Sequence, residues 1–186
     1  MNGLQILKAV NCIPGANSLF LGCYTNDHIP GSFKSVRNGF LIANTESDPS
    51  KFGHWVLLYI KNYVLGFFDS FALDPIEYGG AIYFIYNTFK SRKFKAISKP
   101  VQSDHSLVCG AYTIFFSYVM TRNKLSDIFK KLGRNKYKND RFVAHFLGKM
   151  AGVKISCTNR VYCFQNLFAD ECRSYCRCPS NSCVKL

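Results

Sequence analysis

Val101-Gln102-Ser103-Asp104-His105-Ser106-Leu107-Val108-Cys109-Gly110 runs directly into an apolar stretch, Ala111 to Met120. The apolar residues from Val108 to Met120 are too few to cross a membrane and enough for a central helix buried on most sides. Residues 102–107 read as a loop, and Asp104 or Ser106 is placed to cap the helix. Cys109 then opens a buried helix, where the partial positive charge of the N-terminus favours a thiolate. A thiolate becomes a catalyst only with a base nearby.

Gly53-His54-Trp55 supplies a candidate base at the head of an apolar run, His54 to Ile60, that reads as a buried strand. Lys61-Asn62 is a turn signal, and Tyr63 to Phe68 reads as a second strand. A hairpin sets the start of its first strand beside the end of its second, so His54 and Asp69 come to one edge. Around this hairpin the pattern predicts a helix over 2–10, a loop over 15–30 containing Phe20-Leu21-Gly22-Cys23-Tyr24, and a strand over 39–43. Asp74-Pro75 starts a helix running to Lys90, weakened by Gly79-Gly80. A short strand follows over 94–97. Two surface helices are expected over 125–132 and 142–150, separated by Gly133 and residues 134–139. The expected fold is α+β: a mixed central sheet with the hairpin at its centre, flanked by helices, in one domain over 1–154. From Ile155 the pattern decays into a cysteine-rich tail, 155–186.

The chain has 186 residues, 48% hydrophobic and 16% aromatic, a core-forming composition rather than a disordered one. Its start lacks the basic and apolar pattern of a signal peptide, so secretion by that route is not expected, nor is a membrane span. Net charge is +13, from 24 Lys+Arg against 11 Asp+Glu. That charge suits either plain solubility or a polyanionic partner, of which nucleic acid is the commonest. Bases cluster over 90–99 and 124–141. With no nucleic-acid motif visible, DNA binding would be to backbone phosphate and non-specific. Six of the nine cysteines crowd the end, at 157, 163, 172, 176, 178 and 183. An odd count argues against a full disulfide framework, and the tail spacing is not a standard zinc pattern, so no metal is expected.

A thiol protease needs a thiolate, a histidine, a group that orients the histidine, and donors for the oxyanion. Cys109, His54 and Asp69 fit the first three roles. Gln102, seven residues before Cys109, can lend its amide to the oxyanion, with the Cys109 N–H as second donor. Each has a plainer reading: Cys109 as a core thiol, His54 as a strand-edge imidazole, Asp69 as a turn residue, Gln102 as a surface amide. His28, His105 and His145 compete as bases.

Gly53-His54-Trp55, Phe68-Asp69-Ser70-Phe71, Val101-Gln102 and Cys109-Gly110 together resemble the adenain family of adenovirus maturation proteases, in the clan of the SUMO-specific proteases. Phe20-Leu21-Gly22-Cys23-Tyr24 with Pro30-Gly31, and Ile42-Ala43-Asn44-Thr45, resemble further segments of that family. The similarity covers roughly residues 18–120. It implies a papain-like architecture in permuted order, with His54 as base, Asp69 as orienting acid, Cys109 as nucleophile, Gln102 as oxyanion donor and Trp55 packed beside the site. It also implies cleavage of capsid or core precursor proteins near small residues such as glycine, without a metal, by a monomer in virion and host nucleus, with DNA or a viral peptide as activator. Two departures stand out. Human-type members of the family have Glu where Asp69 stands, although the wider clan commonly uses Asp. Its peptide-binding cysteine, eleven residues before the glutamine, is replaced by Ser91. The competing expectations are a ubiquitin- or SUMO-type deconjugase, and a basic nucleic-acid-binding virion protein with a vestigial site.

Overall fold

The computed structural model describes residues 1–48, 53–90, 94–96, 99–122, 131–151, 154–158 and 161–165. Five strands form one mixed sheet in sequence order: β1 (Phe20–Thr25), β2 (Asn38–Asn44), β3 (Trp55–Lys61), β4 (Val64–Phe68) and β5 (Phe94–Ala96). The two outer pairs, β1–β2 and β4–β5, are parallel, and the two inner pairs are antiparallel. The hairpin β3–β4 closes with Lys61 paired to Val64. Its two turn residues, Asn62 and Tyr63, both take positive φ, 50° and 62°, the type I′ pattern that matches strand twist. The turn thus lies one residue beyond the expected Lys61-Asn62.

Side chains alternate across the strands, and the alternation builds two cores. Phe40, Ile42, Leu57 and Phe68 face one layer, made of α1 (Gly3–Asn11), α3 (Cys109–Thr121) and α4 (Lys136–Ala151). Leu41, Ala43, Val56, Leu58, Ile60, Leu65 and Phe67 face the other, which α2 (Gly80–Lys90) covers with Ile82, Ile85 and Phe89. The architecture is therefore α+β, with helices on both faces of a mixed sheet. Phe68 of β4 and Phe116 of α3 stack with ring centroids 3.9 Å apart, seating the cysteine-bearing helix on the sheet.

Several expectations change. Residues 20–25 form an edge strand rather than loop; Gly22, at φ 133°, and a register shift between Phe20 and Cys23 disguise it. The helix expected from Asp74-Pro75 to Lys90 is broken. Asp74 accepts from the Ile76 N–H at 3.0 Å and starts only a 3-10 turn, Pro75–Tyr78. Gly79 and Gly80 then turn the chain with φ 57° and 52°, and α2 begins. No side chain caps α3. Asp104 is instead paired with Lys136 at 2.8 Å, and Ser106 is turned onto Gln102. The last described helix starts at Lys136, not at residue 142, because its first turns bury the polar Asn139 and Asp140, which an apolar pattern cannot register. Past residue 154, Lys154–Thr158 and Val161–Gln165 pair as an antiparallel hairpin, β6–β7, so the expected boundary at 154/155 falls inside a strand. Residues 125–130 of the other expected surface helix, and the cysteines from 172 onward, lie outside the described residues.

Truncating Phe116 to Ala should remove about 3–5 kcal/mol of stability, the usual cost of emptying a buried phenylalanine site. Urea unfolding followed by circular dichroism measures it, and an unchanged slope would show that the denatured state is not the cause.

Candidate active site

Gly53 precedes His54 because a Cβ there would collide with Asn44 Oδ1. The strand ladder continues past Trp55: the Thr45 N–H donates to the His54 carbonyl at 2.8 Å, and the His54 N–H donates to Thr45 Oγ1 at 3.0 Å. His54 is thereby locked at the head of β3, and Asp69 follows the end of β4. His54 Nε2 lies 2.5 Å from Asp69 Oδ1. Phe71 and Tyr78 wall the imidazole, with centroids at 4.7 and 6.2 Å.

Asp69 is buried and fully engaged. Its Oδ1 also accepts from the Phe71 N–H at 2.9 Å, and its Oδ2 accepts from the Leu73 N–H at 2.9 Å and the Tyr78 hydroxyl at 2.7 Å. Burial alone would raise its pKa, but the bonds from His54, Tyr78 and Phe71 outweigh that and hold the carboxyl below its ordinary value.

Cys109 is half-buried at the head of α3, and its thiol interacts with the His54 imidazole, which Asp69 holds through Nε2. The Trp55 backbone N–H and the Met1 α-ammonium also act on the sulfur. Burial would raise the thiol pKa; the imidazole, the Trp55 N–H and the ammonium together bring it below the ordinary value. Burial would likewise lower the His54 pKa, but Asp69 and the Cys109 sulfur raise it to about 9. The arrangement favours a thiolate–imidazolium pair. By contrast, burial pushes Cys23 up to about 12, an inert thiol.

Trp55 is buried beside the pair, its Nε1 donating to the Met1 carbonyl at 2.9 Å. The competing histidines stay away: His28 contacts Thr25 Oγ1 at 2.8 Å, and His105 and His145 are exposed. Gln102 is wholly buried rather than a surface amide. Its Oε1 accepts from Ser70 Oγ at 2.6 Å, and its Nε2 donates to the Ser106 carbonyl at 2.6 Å and Ser106 Oγ at 3.2 Å. Cys109 is the first residue of α3, so its N–H has no carbonyl one turn earlier in the helix. Sequence reasoning missed Tyr78 and Ser70. Neither belongs to a periodic pattern, although Ser70 sits directly after the acid.

Among the described residues no cluster of three or more His, Cys, Asp or Glu can hold a metal, and no helix is long and apolar enough to cross a membrane. No protein-family model matches the chain. The search of curated proteins also returned no match.

The imidazolium stabilises the fold fully below about pH 6.5, and that contribution is lost as pH rises through about 9. The Asp69 carboxylate contributes above its ordinary value, and that is lost as pH falls through the lowered one. Iodoacetamide alkylation of Cys109 should therefore already be fast at mildly acidic pH. In His54→Ala it should be slower there by about tenfold or more, because each unit of thiol pKa regained removes most of the thiolate. Mass spectrometry of the labelled peptide checks this, and equal rates in both proteins would contradict the pairing.

Proposed function

We propose that this chain is a cysteine endopeptidase resembling the adenain family. The observation that carries the reading is Cys109 at a helix head, its thiol acted on by an imidazole whose Nε2 is held at 2.5 Å by a buried carboxylate. The chain order His54, Asp69, Gln102, Cys109 fits a papain-like site in permuted order.

In this reading the Cys109 thiolate attacks the scissile carbonyl carbon, and the carbonyl oxygen becomes an oxyanion. The Cys109 N–H and the Gln102 amide stabilise that charge. Gln102 gives both amide hydrogens to Ser106 in the resting state, and the longer bond, to Oγ at 3.2 Å, is the one it can exchange for the oxyanion. The tetrahedral intermediate collapses as His54 passes its proton to the leaving amine, which leaves a thioester on Cys109. His54 then takes a proton from water as the water oxygen attacks the thioester carbon, and the sulfur departs as a thiolate while His54 keeps the proton. The carboxylic product leaves and the thiolate–imidazolium pair is restored. Asp69 holds the imidazole and offsets its charge throughout.

Substrates are viral capsid or core precursor proteins, cut near small residues such as glycine, in the virion or host nucleus. The +13 charge supports DNA as a non-specific activator. Any activating peptide acts without the family's disulfide, since Ser91 stands at that position.

Cys109→Ala should leave the fold intact and reduce cleavage of a glycine-containing peptide by about 10⁴-fold or more. Retained turnover would sink the assignment, and cleavage of a SUMO or ubiquitin conjugate in preference to the peptide would move it to a deconjugase. Double-stranded DNA should raise peptide turnover, and the gain should fade as salt is raised from about 50 to 200 mM. A gain that ignores salt would point away from backbone binding.

A further inference from the structure

Asp140 lies in the second turn of α4 and is 1% exposed. The proposed reaction makes no direct use of it. From α3, Tyr112 Oη lies 2.9 Å from Asp140 Oδ1 and also 2.9 Å from the Val101 carbonyl. From the loop before Cys109, Ser103 Oγ donates to Asp140 Oδ2 in a very short bond, and the Ser103 N–H lies 3.4 Å from each carboxyl oxygen. The Val101 carbonyl takes a second bond, from Asn139 Nδ2 at 3.0 Å. No cation of the described residues is paired with Asp140. The ion pair joining the same helix to the same loop, Lys136–Asp104, is satisfied within itself at 2.8 Å.

Counting hydrogens favours one direction for these bonds. A tyrosine hydroxyl has one hydrogen, and here it meets two oxygens at full hydrogen-bond distance. Were Asp140 ionised, both oxygens could only accept, and one contact would set lone pairs against lone pairs in the interior. With a hydrogen on Asp140 Oδ1, the carboxyl donates to Tyr112 Oη and Tyr112 donates to the Val101 carbonyl. Ser103 Oγ donates to Oδ2, and every hydrogen in the chain has an acceptor. An ionised carboxylate here would also carry its desolvation cost with no cation to offset it. Burial pushes the Asp140 carboxyl above its ordinary value, outweighing the bonds from Ser103 that pull it down.

We infer that Asp140 is held as a neutral acid and acts as a positioning residue, relaying a hydrogen bond through Tyr112 to the Val101 carbonyl and so fixing the loop that presents Gln102. The role toward Gln102 rests on the protease reading; the protonation state does not.

Infrared difference spectroscopy of wild type against Asp140→Asn at neutral pH should show a protonated-carboxyl C=O band in the wild type alone. Absence of that band overturns the inference, whether or not the protein cleaves peptides. In kinetics, Asp140→Asn keeps a donor and an acceptor in the same shape and should rescue the wild-type kcat. Asp140→Ala and Tyr112→Phe should each lower kcat about tenfold or more through a misplaced loop, with the pH profile of Cys109 alkylation unchanged. Tyr112→Phe keeps the packing should the alanine variant fail to fold. Wild-type turnover in Tyr112→Phe, or an Asn variant as slow as the Phe variant, overturns the positioning role. A wild type with no peptidase activity but with the infrared band overturns the protease reading and leaves the neutral acid standing.

Discussion

A single buried carboxylate holds the rest of the site in register. Asp69 accepts from the His54 ring, from two backbone N–H groups and from the Tyr78 hydroxyl. An ion so buried would be costly with fewer donors. The chain supplies them by curling 69–73 around the acid, with Ala72 in the left-handed region at φ 58°. That conformation costs a non-glycine residue about 1–2 kcal/mol. Closing the loop and orienting the imidazole are therefore one event, because the same oxygens do both.

The donors need anchoring of their own, and much of it comes from Asn26, beyond the end of β1. Its Nδ2 donates to the Tyr78 carbonyl at 2.9 Å, and its Oδ1 accepts from the Ile82 N–H at 2.9 Å, capping α2 from a distant part of the chain. A Cβ on Gly80 would lie 2.8 Å from that amide, so the approach needs a glycine. The break between the 3-10 turn and α2 is what lets Tyr78 face Asp69 while Ile82 enters the core beneath the sheet.

This division explains what was legible in the sequence. The hairpin, the helix of Cys109 and the meeting of His54 with Asp69 follow from local rules: an apolar run, a turn, and the geometry that returns a strand to its start. The α4 start was hidden because its buried face is Asn139 and Asp140, and burial of satisfied polar groups leaves no apolar period. β1 was hidden by its bulge. Gln102 was legible as a residue, but its partners were not. Hydrogen bonds to Ser70 and Ser106 depend on how the loop 101–108 lies against the strand end, which no local pattern encodes.

The two halves of the site belong to different layers, the base to the sheet edge and the cysteine to a helix packed on one face. Their junction is short. Successive residues of an extended chain point to opposite sides, as Phe67 and Phe68 do in serving the two cores. Just past them, Asp69 reaches His54 while Ser70 reaches the loop before Cys109. The Ser70 carbonyl accepts from the N–H groups of Val101 and Gln102 at 2.9 and 3.0 Å, and its hydroxyl donates to Gln102 Oε1 at 2.6 Å. Two adjacent residues thus aim the imidazole and the amide, so the separation of those groups is set by one peptide unit rather than by packing between layers. Side-chain packing tolerates shifts that a covalent link does not, and a reaction that punishes a misplacement of about 1 Å gains most from such a link.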